Sequence, residues 1–400
     1  MSLISKKYRY DNEKEKTNKQ EVESLLTEQV ILDNKNIGNS ELKEKFPIHH
    51  NADSIMGLKK AINTFKKVNK RKYDMTVKLS NVKNLVFVKF DKDKLEIKFS
   101  VSSDDGKILV SEVRSIYDAR KSFLDHFFAA DQFALRAMHN GQLDAVQKLM
   151  VKLQSNQNYS ENSGIFRFID TTENNEDKTF LRAVIGTKYK TLYNNAAIFY
   201  LSIAAISKMK GNYTLDWMNV TDSTIAISYM QQGKIKLTDG LYLSTGILVE
   251  NSELGTGAAK FTVQFKISNK EGKTTRFINY DEQILSINHG YSFDKIRASL
   301  NKLAQFSNIQ KDIINTVKKV KWSHSLNTEQ LSMLVADISH LRGNVSKEVK
   351  ENLLKEVNTY EQTKKAFNIL ELFSRFEDVI SNDKTRLVVE GKFYKWIRSL

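Results

Sequence analysis

Cysteine is absent from the 400 residues, which excludes disulfides, thiolate metal sites and cysteine nucleophiles. Proline occurs once, at Pro47, so long segments carry no breaker and favour extended helices and uninterrupted strands. No apolar run approaches the roughly 20 residues needed to cross a bilayer. The opening residues MSLISKKYRYDNEKEK contain no apolar core of the kind a secretory signal requires, so none is expected. The seven histidines are scattered, and the adjacent His49 and His50 lack a further ligand at metal-binding spacing. No GxSxG, HExxH or EF-hand loop occurs. These absences leave no cofactor to expect, and they suit a reducing, cytoplasmic compartment.

What is present is charge, unevenly placed. The net charge is +15. Residues 51–98 hold 13 basic and 5 acidic residues, and 291–400 hold 19 and 13, on either side of a near-neutral middle. Such a distribution suits a surface for a polyanion; lysine drift in a Lys/Asn/Ile-rich coding background is the competing explanation.

Leu58, Ala61, Ile62, Phe65 and Val68 recur at helical spacing and predict a helix from Asp53 or Ser54 to about Tyr73. Lys59, Lys60, Lys66, Lys67, Lys70, Arg71 and Lys72 occupy its remaining surface. Like charges at i, i+4 repel unless an anion lies alongside, which makes this helix a nucleic-acid candidate. A second candidate is LRAVIGTKYKTLYN, where Arg182, Lys188 and Lys190 stand beside Tyr189 and Tyr193. Cations there hold phosphates while the rings stack on bases.

Period-two alternation is clearest at Phe261, Val263, Phe265 and Ile267, which marks a half-buried strand. The loop before it contains Asn251, Ser252, Glu253, Gly255 and Gly257. These residues suit either a turn or a ligand site completed by Asp222 or Asp239. GTGAAK at 255–260 fails as a phosphate loop, because Phe261 replaces Ser or Thr and a strand follows instead of a helix. Further strands are expected near 76–101 and 165–185 and from 214 to 280, and helices at 111–139, 143–153 and 195–208. From 293 onward the period is helical, with helices at 294–321, 328–341, 347–372 and 385–399. The fold expected is α+β, a central, largely antiparallel sheet with packed helices. Residues 1–50 read as a flexible polar arm, 51–290 as the core domain and 291–400 as a helical region.

Arg182, Ala183, Tyr189 and Asn194, then Gly246, Asn251, Ser252, Glu253 and Gly255, then Asn368, Arg386 and Gly391, stand in an order that resembles a phage- and plasmid-associated family, domain of unknown function 932. The resemblance spans about 180–400. The residues at 276–280, RFINY, and the Phe367 that precedes Asn368 depart from the family pattern. The resemblance implies a mobile-element origin and, for a phage-encoded chain, a host-cell cytoplasmic location; it implies no particular reaction. The expected function is nucleic-acid binding, with single-stranded DNA as the favoured partner, in replication or recombination. A protein partner or homo-oligomer is compatible with the same residues, as is a non-enzymatic interaction protein. A carboxylate-and-metal enzyme ranks last, since no acidic pair stands at a persuasive spacing.

Overall fold

Alternating apolar residues build two sheets rather than one. The structure, a computed structural model, describes residues 3–399 apart from 13–14, 28–29, 32–36, 49–53, 92–93, 174–175, 188–193, 239, 255–256, 323, 344 and 364–367. First come β1 (Ser5–Arg9), α1 (Lys19–Thr27), β2 (Val30–Ile31), α2 (Ile37–Lys45) and α3 (Leu58–Asn69). Next are β3 (Lys72–Lys78), β4 (Val82–Asp91), β5 (Lys94–Ser102) and β6 (Ile108–Ser115). Helices α4 (Ala119–Phe128), α5 (Asp131–His139), α6 (Leu143–Gln154) and α7 (Gln157–Ser160) precede β7 (Ser163–Glu173), β8 (Glu176–Gly186) and α8 (Asn195–Ile206). A strand run then comprises β9 (Tyr213–Thr221), β10 (Thr224–Gln231), β11 (Ile235–Thr238), β12 (Leu241–Ser252), β13 (Ala259–Asn269) and β14 (Thr274–Ile287). The last helices are α9 (Phe293–Asn301), α10 (Phe306–Lys319), α11 (Thr328–Ser339), α12 (Lys347–Gln362), α13 (Ile369–Val379) and α14 (Asp383–Ser399).

Each sheet has seven strands; the one with the longer strands, called the larger below, orders them β1-β9-β10-β12-β13-β14, with β11 on β12. The second orders them β2-β3-β7-β8-β6-β5-β4, and among the described residues its parallel pairs are β2 with β3 and β6 with β8. The α+β expectation holds.

Phe261, Val263, Phe265 and Ile267 are fully buried in the larger core. Beneath them lies α8, buried at all 12 positions, as an all-round apolar helix must be. Each large side chain sequestered this way contributes about 1.5–3 kcal/mol. Helices α9 to α14 share this core, so the C-terminal helical region packs on the larger sheet. A separate core of Phe99, Phe123, Phe166 and Phe168 joins α4–α6 to the smaller sheet.

Three expectations need correction. Residues 1–50 are not simply an arm: β1 pairs with β9, and Val22, Leu25, Leu26, Leu42 and Phe46 are buried in the larger core. Their apolar residues are few but fall at helical spacing. The helix expected from 111 begins only at Ala119, because residues 108–115 form β6, and it breaks at Ala129, whose φ is 50°. The helix expected over 347–372 stops at Gln362, and Asn368 caps a new one through a capping box with Glu371.

Gly246 and Gly391 leave no room for a side chain. A Cβ on Gly246 would fall on the Tyr229 carbonyl oxygen, and one on Gly391 on the Tyr280 ring. Gly391→Ala is expected to lower stability by about 1–3 kcal/mol through overpacking, read as a lower denaturant midpoint at unchanged slope. An unchanged midpoint would show that Tyr280 swings aside freely.

Candidate nucleic-acid interface

The basic residues of α3 divide into three groups. Lys59 pairs with Glu15 at 3.2 Å and Glu21 at 3.6 Å, and Lys60 with Asp11 at 3.0 Å. The acidic residues of the N-terminal segment thus supply the anions that the helix's own repulsions call for. Lys66 is half-buried, whereas Lys67, Lys70 and Arg71 are exposed. Lys72 is buried. The α3 helix itself ends at Asn69, so Lys70 and Arg71 lie in the turn into β3.

Arg182 is buried too, and its fate explains that of Lys72. Both reach the carboxylate of Glu253, Arg182 Nη1 at 2.7 Å and Lys72 Nζ at 2.9 and 3.1 Å. The backbone N–H of Asn195 donates to the same carboxylate at 2.8 Å, placing it at the positive N-terminus of α8. Arg167 donates to the Glu253 carbonyl oxygen at 2.9 Å and approaches Asp74 at 3.6 Å. Arg182 also donates to the carbonyl oxygens of Phe168, at 3.2 Å, and Asp222. The Tyr117 hydroxyl donates to the Asp222 carboxylate. Lys72, Arg167 and Arg182 come from β3, β7 and β8 of the smaller sheet; Asp222 and Glu253 follow β9 and β12 of the larger one. This is an ionic joint between the sheets.

Electrostatics here are governed by burial. Burial alone would raise the Glu253 carboxyl, but Lys72, Arg182 and Arg167 outweigh it and hold the group well below the usual carboxylate range. Burial pushes the Lys72 amine down, with Arg182 and Arg167 adding to the shift and Glu253 opposing it. A carboxylate saturated by these donors has no capacity left for a divalent ion. That corrects the ligand-site alternative for Asn251, Ser252 and Glu253. Asn251 donates to the Asn195 side chain at 2.9 Å, and Ser252 Oγ accepts from the Leu254 N–H at 3.3 Å. No cluster of three metal-capable side chains occurs among the described residues. Gly257 is exposed, with a φ of 152°. Lys188, Tyr189, Lys190, Tyr193 and Gly255 lie outside the described residues.

Lys72 and Arg182 are therefore withdrawn as phosphate contacts: burial and four-way pairing keep them from a strand of nucleic acid. Lys98 is also exposed but stands apart from Lys67, Lys70 and Arg71, beyond the buried Ile169 and Phe180 and the paired Arg114. Strand register runs Lys72, Ile169, Phe180, Arg114, Lys98 across one row, four strand spacings or roughly 19 Å from end to end.

A second polar constellation, which the sequence did not disclose, lies under α14 on the opposite face of the larger sheet. Glu390 is 4 % exposed, and neither carboxyl oxygen has a hydrogen-bond partner. Burial pushes its carboxyl up to about 8, against the opposing pull of Arg276. Nearby, Arg276 bonds Asp216 at 2.9 Å and lies over the Trp217 ring at 5.6 Å. Tyr280 donates to Glu250 at 3.2 Å. Asp383 accepts from Asn219 at 3.1 Å and pairs with Lys7 at 2.7 Å. The only outward sign of this centre in the sequence is a glutamate inside VVEGKFYKW, beside the sterically required Gly391.

No family model, curated protein or solved structure matches the chain. Arg182, Asn251 and Glu253 meet at the joint, and Asn194 caps α8 through a bond from the Ala197 N–H at 2.9 Å. No helix among the described residues is long and apolar enough to cross a membrane.

Proposed function

We propose that the chain is a nucleic-acid-binding protein of mobile-element type, acting on single-stranded DNA in replication or recombination within the cytoplasm. The supporting observation is that the basic block at 51–98 keeps Lys67, Lys70, Arg71, Lys83, Lys89, Lys94 and Lys98 exposed, while Lys59, Lys60 and Lys78 are ion-paired and Lys72 is buried. Phosphate contacts release counterions, so affinity falls with salt by roughly 0.7 log units per log unit for each contact to a single strand.

Fluorescence anisotropy with a single-stranded oligonucleotide across a salt series tests this. Lys67→Ala/Lys70→Ala/Arg71→Ala is expected to flatten the slope by about 2 and to weaken binding at least about ten-fold at low salt. An unbound oligonucleotide at low salt removes the proposal. A second reading, as an interaction or structural protein, draws on Phe133, 53 % exposed on α5, and Leu149, 41 % exposed on α6. Indifference to DNA with a stable protein partner favours it.

A further inference from the structure

A cavity of about 600 Å³ opens between the C-terminal ends of α2 and α8 and the segment from α9 into α10. Its volume falls in the range of pockets that enclose one small molecule. The ionisable side chains on its wall are all basic, Lys45, Lys208, Lys210 and Arg297, and among the described residues no carboxylate lines it. The carbonyl ends of α2 and α8 account for placing lysines there. They do not account for the floor, which contains three aromatic rings, Phe46, Tyr213 and Phe306, together with Leu303.

The remaining wall is polar and held in place. Gln310 donates to the Gln231 side-chain oxygen at 2.9 Å and to Thr245 at 2.8 Å, so the two amides are fixed before any ligand arrives. Lys45 pairs with Glu41 at 2.9 Å, and Arg297 donates to the Lys45 carbonyl at 3.2 Å. Lys208 and Lys210 remain exposed at the mouth.

We infer that this cavity binds a mononucleotide, with the base among the rings and amides and the phosphate on Lys208 and Lys210. Gln310 Oε1 and Gln231 Nε2, the amide atoms not engaged in that pairing, suit a planar, hydrogen-bonding body better than an alkyl chain, which would cover them without bonding them. The anionic group answers the one-signed mouth. The site goes beyond the proposed DNA interface, because Lys67, Lys70, Arg71 and Lys98 are not among its lining residues.

Calorimetric titration of the full chain with adenosine monophosphate tests the inference, with adenosine, inorganic phosphate and decanoate as comparisons. Saturable binding of the nucleotide is expected, at least about ten-fold tighter than either half alone. Lys208→Ala/Lys210→Ala is expected to weaken it at least about ten-fold, the loss of a charge-assisted phosphate contact. Melting temperature and oligonucleotide affinity of this variant should stay unchanged, since both lysines are exposed and neither belongs to the DNA interface proposed above. An oligonucleotide bearing a terminal phosphate, compared with one lacking it, distinguishes a strand end from a free nucleotide as the source. Absence of nucleotide binding, tighter binding of decanoate, or indifference to the double substitution overturns the assignment. Failure of the oligonucleotide experiment with Lys67, Lys70 and Arg71 leaves it standing.

Discussion

Glu253→Ala is expected to destabilise the chain by about 3–5 kcal/mol, the usual consequence of leaving buried charges without their partner. Lys72 and Arg182 would both lose the carboxylate between them, and the Asn195 N–H would lose its acceptor. Lys72→Met should cost less, because Glu253 keeps Arg182 and Asn195. In the double variant the two costs should fall short of adding, since the second substitution removes a charge that the first had stranded. Denaturant unfolding of the four proteins measures this coupling. A cost below about 1 kcal/mol for Glu253→Ala would mean that water reaches the joint and solvates its cations.

Glu253 and Glu390 are expected to shape the pH dependence of stability with opposite signs. The folded-state pKa of Glu253 is depressed, so its contribution is present above the ordinary value of 4.5 and is lost as pH falls below it. For Glu390 the folded value is raised from 4.5 to about 8. Between those values the unfolded chain gives up a proton that the folded chain retains, so stability declines as pH rises and levels off above about 8. At 1.36 kcal/mol per unit, the decline amounts to roughly 5 kcal/mol at most. Glu250 and Glu377, both raised chiefly by burial, act in the same direction. Stability should therefore peak on the acid side of neutrality. Glu390→Gln should match the parent near pH 5 and exceed it by several kcal/mol at pH 8, since a neutral amide has no proton to lose. Chemical denaturation at both pH values decides it. Equal stability of parent and variant at pH 8 would show that Arg276 and Arg386 accommodate the ionised carboxylate.

Local pattern made much of the fold legible. The alternation from Phe261 to Ile267 and the all-apolar run of α8 each dictated one element and its burial. Patterns shorter than the reading window were lost: β6 contributes Val110 and Val113 to its core, but its second half, Ser111–Ser115, is polar enough to merge with the helix after it. The candidate interface was half legible for a different reason. A lysine in a basic stretch reads as a surface lysine, and nothing local marks Lys72, whose partner lies 181 residues on. The pairing of Lys59 and Lys60 by the N-terminal acids was hidden in the same way. Glu390 was unreadable because a glutamate in a helix is ordinarily solvated. Only packing on every side makes it costly.

The first strand of the larger sheet has a temporal consequence. Ser5–Arg9 emerges early in synthesis, yet its partner is Trp217–Thr221, so it must wait for about two hundred further residues before it can close the sheet, a separation that makes for slow assembly. Until β1 docks, the newly made β9 presents a bare edge to any extended chain nearby. A version of the protein shortened before residue 10 would keep that edge permanently open, and its characteristic fault would be self-association, strand against strand between molecules, with most of its internal packing intact.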